Sequence, residues 1–320
     1  MHNRRFKMTI SDYAKILIVM AFALLIYGII LDFSNSVRLI NPQNVVKKDD
    51  NNTFVDVVRS SDNNKDKDSD TKENTGDYYH KQDNTNKFVN SVDEINDQLR
   101  EKLQKLYGIT IKYGDEVGNY SVGGYNTTNV TDSVLINDSL VKLKNSLSLY
   151  PNGLFDEIKN TGGISLSIYL LNNYSDDTIT GVTDSTSKYA IISVAVSHPF
   201  EETFYHESYH YMERYMLKKG VNFNSWNIYN PSGFSYGIIN KDYSYTSTYS
   251  QNAFFVNNYA QYSAEEDRAS TFEYMMATNK ALCMNQGTPV WSKARVMKEA
   301  IEVSFSSVSP NVVEYWERFI

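Results

Sequence analysis

His206, Glu207, Ser208, Tyr209 and His210 stand together as HESYH, inside the segment FEETFYHESYHYMERY. The segment reads as a helix, because Pro199 opens it and Gly220 follows it. On a helix, positions i and i+4 leave the same face one turn apart. Two imidazoles so placed can bind one Zn²⁺ through nitrogen. Glu207 then lies beside the metal rather than on it, where it can take a proton from water that the metal polarises. The competing reading is a helix face that carries two solvated or core histidines. HExxH is too short to decide between them by itself.

A zinc site needs a third protein ligand. No histidine follows His210; His2, His80 and His198 all lie upstream. Positions 213 and 216 are Glu and Met, which excludes the HExxHxxGxxH pattern of the metzincins. A carboxylate remains, giving a His2Glu set. The best segment is SAEEDRASTFE, residues 263–273, where Glu265, Glu266 and Asp267 open a helix. A purely local account also fits. Ser263 with Glu266 three residues on is a capping box, and acids in a first turn suit the helix dipole.

HExxH followed by a second helix that reads E-x-x-A-x-x-F resembles the gluzincin zinc peptidases. The likeness is closest to the compact ones, related to the anthrax lethal factor catalytic domain and the Pro-Pro endopeptidases. The pattern falls on Glu266, Ala269 and Phe272. The resemblance implies that His206, His210 and Glu266 hold Zn²⁺ and that Glu265 is only a neighbour. It also implies that Glu207 is the general base of peptide hydrolysis. In such enzymes a tyrosine seven residues before the glutamate hydrogen-bonds the oxyanion; here that residue is Tyr259. Many gluzincins carry an acid four residues after the glutamate, orienting a ligand histidine. Here Ser270 stands in that place, so the role is open among Ser270, Asp267 and Glu273. The resemblance spans roughly residues 164–278.

The elements that must position these groups can be read from periodicity. Val92, Ile95, Leu99, Leu103 and Leu106 have helical spacing, ended by Gly108. ITIKYG alternates as a strand, residues 131–149 form a second helix, and LFDEI a short third. Ile164–Leu171 and Lys188–Val196 are β-branched strands separated by a polar, threonine-rich loop. From Ala264 onward the chain reads as helical. This order predicts an α+β, zincin-like domain over residues 92–320, with a small mixed sheet, then the active-site helix, then a helical C-terminal half. Lys188–Val196 is expected at the sheet edge, where extended substrate would pair. Between the two ligand helices lies an aromatic loop. Trp226 and Phe234 are expected to pack it down, and Tyr243–Tyr249 to wall a cleft or form a flap.

The N-terminal part is different material. HNRRFK precedes an apolar run from Ile16 to Leu31, so residues 1–33 are expected to be a cytoplasmic segment and single transmembrane anchor. The alternative is a cleaved signal peptide, with secretion. Residues 34–91, rich in Asn, Asp, Lys, Ser and Thr, are expected to be a disordered stalk. Either way the domain is exported. Net charge is −7; residues 1–15 carry +3, which leaves −10 on the remainder. An acidic body argues against nucleic acid as partner. Cys283 is the one cysteine, so no intrachain disulfide is possible. The expected partners are therefore a peptide or protein substrate and the membrane. The alternative is a non-catalytic surface binding or adhesion module with the same fold.

Overall fold

The structure, a computed structural model, describes residues 91–245, 253–277, 280 and 284–320. The expected anchor at 1–33 and nearly all of the expected stalk at 34–91 lie outside the described residues, as does Cys283. Among the described residues, no helix is long and apolar enough to cross a membrane.

The fold is α+β. Helix α1 (Val92–Tyr107) starts at a complete capping box, Ser91 with Glu94, and stops at Gly108, whose φ of 65° takes the left-handed turn. Then come β1 (Thr110–Lys112), β2 (Ser121–Val122), β3 (Tyr125–Asn129), α2 (Ser133–Leu147) and α3 (Leu154–Asn160). Three strands follow: β4 (Ser165–Tyr174), β5 (Gly181–Ser185) and β6 (Tyr189–Ala195). The rest is helical at first: α4 (Phe200–Lys218), α5 (Ala264–Met276) and α6 (Pro289–Ser304).

The sheet is mixed, in the order β2-β3-β4-β6-β5, with β1 parallel beside β4. β4 and β6 pair in parallel from Ser165 opposite Tyr189 to Leu171 opposite Ala195. Alternation then puts Leu166, Ile168 and Leu170 of β4 on one face with Ala190, Ile192 and Val194 of β6, and all six are buried. They join one core with Phe200, Phe204, Tyr211 and Met212 of α4. Tyr211 donates its hydroxyl to the Ile164 carbonyl at 2.8 Å, and Tyr150 shares a 2.5 Å hydrogen bond with Ser208. Thirteen residues of α4 are buried, so this helix runs through the domain rather than over it.

Three expectations need correction. The threonine-rich loop contains β5, which pairs antiparallel with β6 from Gly181 opposite Val194 to Ser185 opposite Ala190. Lys188–Val196 is therefore an interior strand, and β5 is the edge. The hairpin of β2 and β3 was hidden by its polarity, although Gly123-Gly124, at φ 61° and 87°, is a hairpin-turn signature. Finally, the C-terminal half is not helical throughout. After Ser304 only a 3₁₀ turn at Tyr315–Glu317 interrupts an irregular tail.

Candidate metal centre

α4 carries His206 and His210 on one face, as the i, i+4 spacing requires. Their rings lie 5.0 Å apart between centroids. α5 brings Glu266 against both. One carboxylate oxygen, Glu266 Oε2, lies 2.9 Å from His206 Nε2 and 3.6 Å from His210 Nε2. One donor atom from each of the three residues falls within 4.8 Å of the others. Glu265, by contrast, is exposed and turns toward Arg268, at 3.7 Å.

The start of α5 shows why the local and the metal readings of its acids are compatible. Ser263 accepts from the Glu266 backbone N–H at 3.2 Å, as an N-cap should. In α1 the Glu94 carboxylate closes the capping box by returning to Ser91 N. In α5 the Glu266 carboxylate turns to the histidines instead.

Two buried ionic contacts fix α5 against its surroundings. Arg268 pairs with Glu213 of α4, both side chains being nearly inaccessible. Asp267 accepts from Trp226 Nε1 at 2.7 Å, Tyr236 Oη at 2.8 Å and Lys293 Nζ at 2.7 Å. Trp226 is thus buried packing for the loop, as expected, and Phe234 stacks near Phe255, with centroids 4.7 Å apart. Tyr243 and Tyr245 pack against the core, and residues 246–249 of that tract lie outside the described residues. Aromatic contact completes the α4–α5 joint, with Tyr209 and Phe272 centroids 5.3 Å apart.

Electrostatics follow from this crowding. Burial disfavours a charge on His206, but the carboxylates of Glu266 and Glu273 outweigh it and push its pKa up to about 10. Burial acts to raise Glu266, yet its contacts with His206 and His210 hold it far below the usual carboxylate range. Glu273 Oε2 lies 3.4 Å from His206 Nδ1.

Glu207 is buried, and no side chain among the described residues hydrogen-bonds its carboxylate. Its backbone carbonyl accepts from Thr183 Oγ1 of β5 at 2.9 Å. β5 passes so close that a Cβ at Gly181 would lie 3.1 Å from Glu207 Cγ and 2.4 Å from Thr203 Cγ2. The edge strand is seated directly on the Glu207 turn. Gly181 was missed by reading the loop as structureless.

Tyr259 lies in a 3₁₀ turn before α5, its ring 5.8 Å from that of His206 and 53% exposed. Burial of its inner part, then the nearby Glu266 and Glu207, raise its hydroxyl pKa above the ordinary value. The hydroxyl therefore keeps its proton at neutral pH and can donate a hydrogen bond. Two imidazole nitrogens and one carboxylate oxygen form a donor set that fits Zn²⁺. The side chains of His210 and Glu266 are about a fifth exposed, which leaves the cluster open to solvent on one side.

No protein-family description and no curated protein matches the chain. A solved structure from Bacteroides caccae ATCC 43185, described as a "putative zinc-binding metallo-peptidase", superposes with a TM-score of 0.44. The two are 13% identical over 70% of this chain and 88% of that one.

Proposed function

We propose that the protein is a zinc-dependent peptidase of the gluzincin type, with His206, His210 and Glu266 as the metal ligands. The observation that carries this reading is the convergence of both Nε2 atoms on one Glu266 oxygen, with Glu207 the next residue after His206. Zinc, when bound, lowers the pKa of water toward about 7 and polarises a carbonyl. Glu207 takes the proton from the attacking water at its carboxylate and passes it to the leaving amine. Tyr259 donates its hydroxyl to the oxyanion that develops on the scissile carbonyl. Extended substrate pairs through its backbone with the free edge of β5, which Gly181 holds beside Glu207. In the same proposal, residues 1–33 anchor the domain at the outer face of a membrane.

The test has two arms. Purified protein is expected to hold one zinc per chain, and Glu207→Gln to keep that zinc while losing at least a hundredfold in peptide hydrolysis, about 2.7 kcal/mol. Hydrolysis is followed by mass spectrometry on an unlabelled peptide mixture, with and without chelator. Substoichiometric zinc sinks the metal centre. Retained zinc with no cleavage of any peptide favours the binding module over the enzyme.

A further inference from the structure

We propose that Glu273 is the positioning residue that orients His206 toward the metal, and that Lys280 holds Glu273 in place. The inference rests on the zinc reading and deepens it. Glu266 and Glu273 are seven residues apart, two turns of α5, and so share one face of that helix. They meet His206 from opposite sides. Glu266 Oε2 is 2.9 Å from Nε2, and Glu273 Oε2 is 3.4 Å from Nδ1. His210 presents Nε2 to the same Glu266 oxygen, so Nε2 is the side on which the donor atoms of both histidines gather. A ligand imidazole has one nitrogen for the metal and one N–H for a partner, and the partner sets the tautomer. In that tautomer the Nδ1 proton lies on the Glu273 side of the ring, with Oε2 3.4 Å from Nδ1.

The neighbours of Glu273 show that it is held for this task. Its side chain is 13% exposed, and its second oxygen accepts from Lys280 Nζ at 2.7 Å. The same ammonium lies 2.5 Å from Glu202 Oε2, in the first turn of α4. Lys280 thus ties the end of α5 to the start of the histidine helix, and one carboxylate oxygen is left to face His206. The other two candidates are otherwise placed. Ser270 Oγ is buried with no hydrogen-bond partner among the described residues. Asp267 directs Oδ2 at Trp226, Tyr236 and Lys293. The orienting acid has moved from four residues after the glutamate ligand to seven.

Zinc affinity of the full chain, measured by competition with a chromophoric chelator, tests this directly. Glu273→Gln is expected to weaken binding by about 10- to 100-fold, and Lys280→Met to weaken it by a smaller factor in the same direction. Glu266→Gln serves as the ligand control. Histidine ¹H–¹⁵N NMR on the zinc-loaded protein is expected to show the His206 proton on Nδ1, and faster exchange of that proton in Glu273→Gln. A purely structural role for Glu273 would not move that exchange rate at matched urea midpoints. The proposal is overturned if Glu273→Gln binds zinc within twofold of the wild type while Glu266→Gln has lost it, or if Nδ1 of His206 carries no proton. If Glu266→Gln and the wild type both bind no zinc, the metal reading falls first and this one with it.

Discussion

Lys293→Met is the perturbation whose cost the structure defines best. Lys293 lies in α6, its side chain is inaccessible, and so is that of Asp267. The ammonium donates to Asp267 Oδ2 at 2.7 Å and to the Phe254 carbonyl at 2.8 Å, and stands 3.9 Å from the Phe255 ring centroid. Removing it leaves a buried carboxylate with two neutral donors, Trp226 and Tyr236. Breaking one side of a buried pair costs about 3–5 kcal/mol, because the remaining charge has no counterion. For a domain of this size, each kcal/mol shifts the melting point by about 2–4 °C. The expected fall is therefore about 6–20 °C. Burial outweighs Lys293 and the Trp226 and Tyr236 donors and already holds the Asp267 pKa above the ordinary value. Without the lysine it rises further, so the variant loses additional stability as pH rises through that window. Asp267→Asn/Lys293→Met removes both charges and should recover most of the loss, so the two single costs summed should exceed that of the double by at least about 2 kcal/mol. Urea unfolding of the four proteins of the cycle, chelator-treated, reads all of this. Because Asp267 adjoins Glu266, the single variant should also bind zinc more weakly. The reasoning fails if Lys293→Met costs under about 1 kcal/mol, or if the double variant is as unstable as the two singles summed.

Two further outcomes follow from close contacts elsewhere. Gly181→Ala places a Cβ 2.4 Å from Thr203 Cγ2 and 3.2 Å from the Ser193 carbonyl. It is expected to destabilise by about 1–3 kcal/mol and to slow hydrolysis as Glu207 shifts. Thr203→Ser deletes that Cγ2 and keeps the hydroxyl, so it should restore at least part of the melting temperature; no recovery would refute the steric account. Glu157 in α3 accepts from the backbone of Ser306 at 2.9 Å and Ser307 at 2.8 Å, fastening the C-terminal tail. Burial acts to raise its pKa, but those N–H donors more than compensate and lower it below 4.5. A depressed carboxylate contributes stability above the unfolded pKa and loses it as pH falls through the folded value. Glu157→Gln should therefore cost about 1–2 kcal/mol at pH 7, with the gap to wild type closing below pH 4.5. An equal gap at pH 3 and pH 7 would contradict this.

What could be read in advance depended on whether the cause was local. HESYH was legible because helical spacing alone sets two imidazoles on one face. The nearness of Tyr259 and Glu266 to His206 was expected from the resemblance, since a fixed register carries them together. β5 was not, because GVTDS has a single apolar side chain. Its strand character comes from pairing with β6 and from the missing side chain at Gly181, both of which are properties of the assembled domain. Lys293 was equally hidden. A lysine in an amphipathic helix reads as solvent-facing, and only Asp267, 26 residues earlier, makes its burial tolerable.

Glu266 marks the boundary between these two kinds of information. Sequence offered two explanations for the acids that open α5, a helix cap or a metal ligand, and treated them as rivals. The structure divides one residue between them. The Glu266 backbone N–H is satisfied by Ser263, and that is the local half of the capping box. Its carboxylate forgoes the reciprocal half and meets His206 and His210, 60 and 56 residues away in the chain. The cap fixes where the helix begins, and hence where the carboxylate starts from. Asp267 and Arg268, anchored one and two residues later, fix the helix against α4 and α6. Three consecutive residues thus have three different partners, and the place of the Glu266 carboxylate between the two histidines emerges from them, though none of the three would specify it alone.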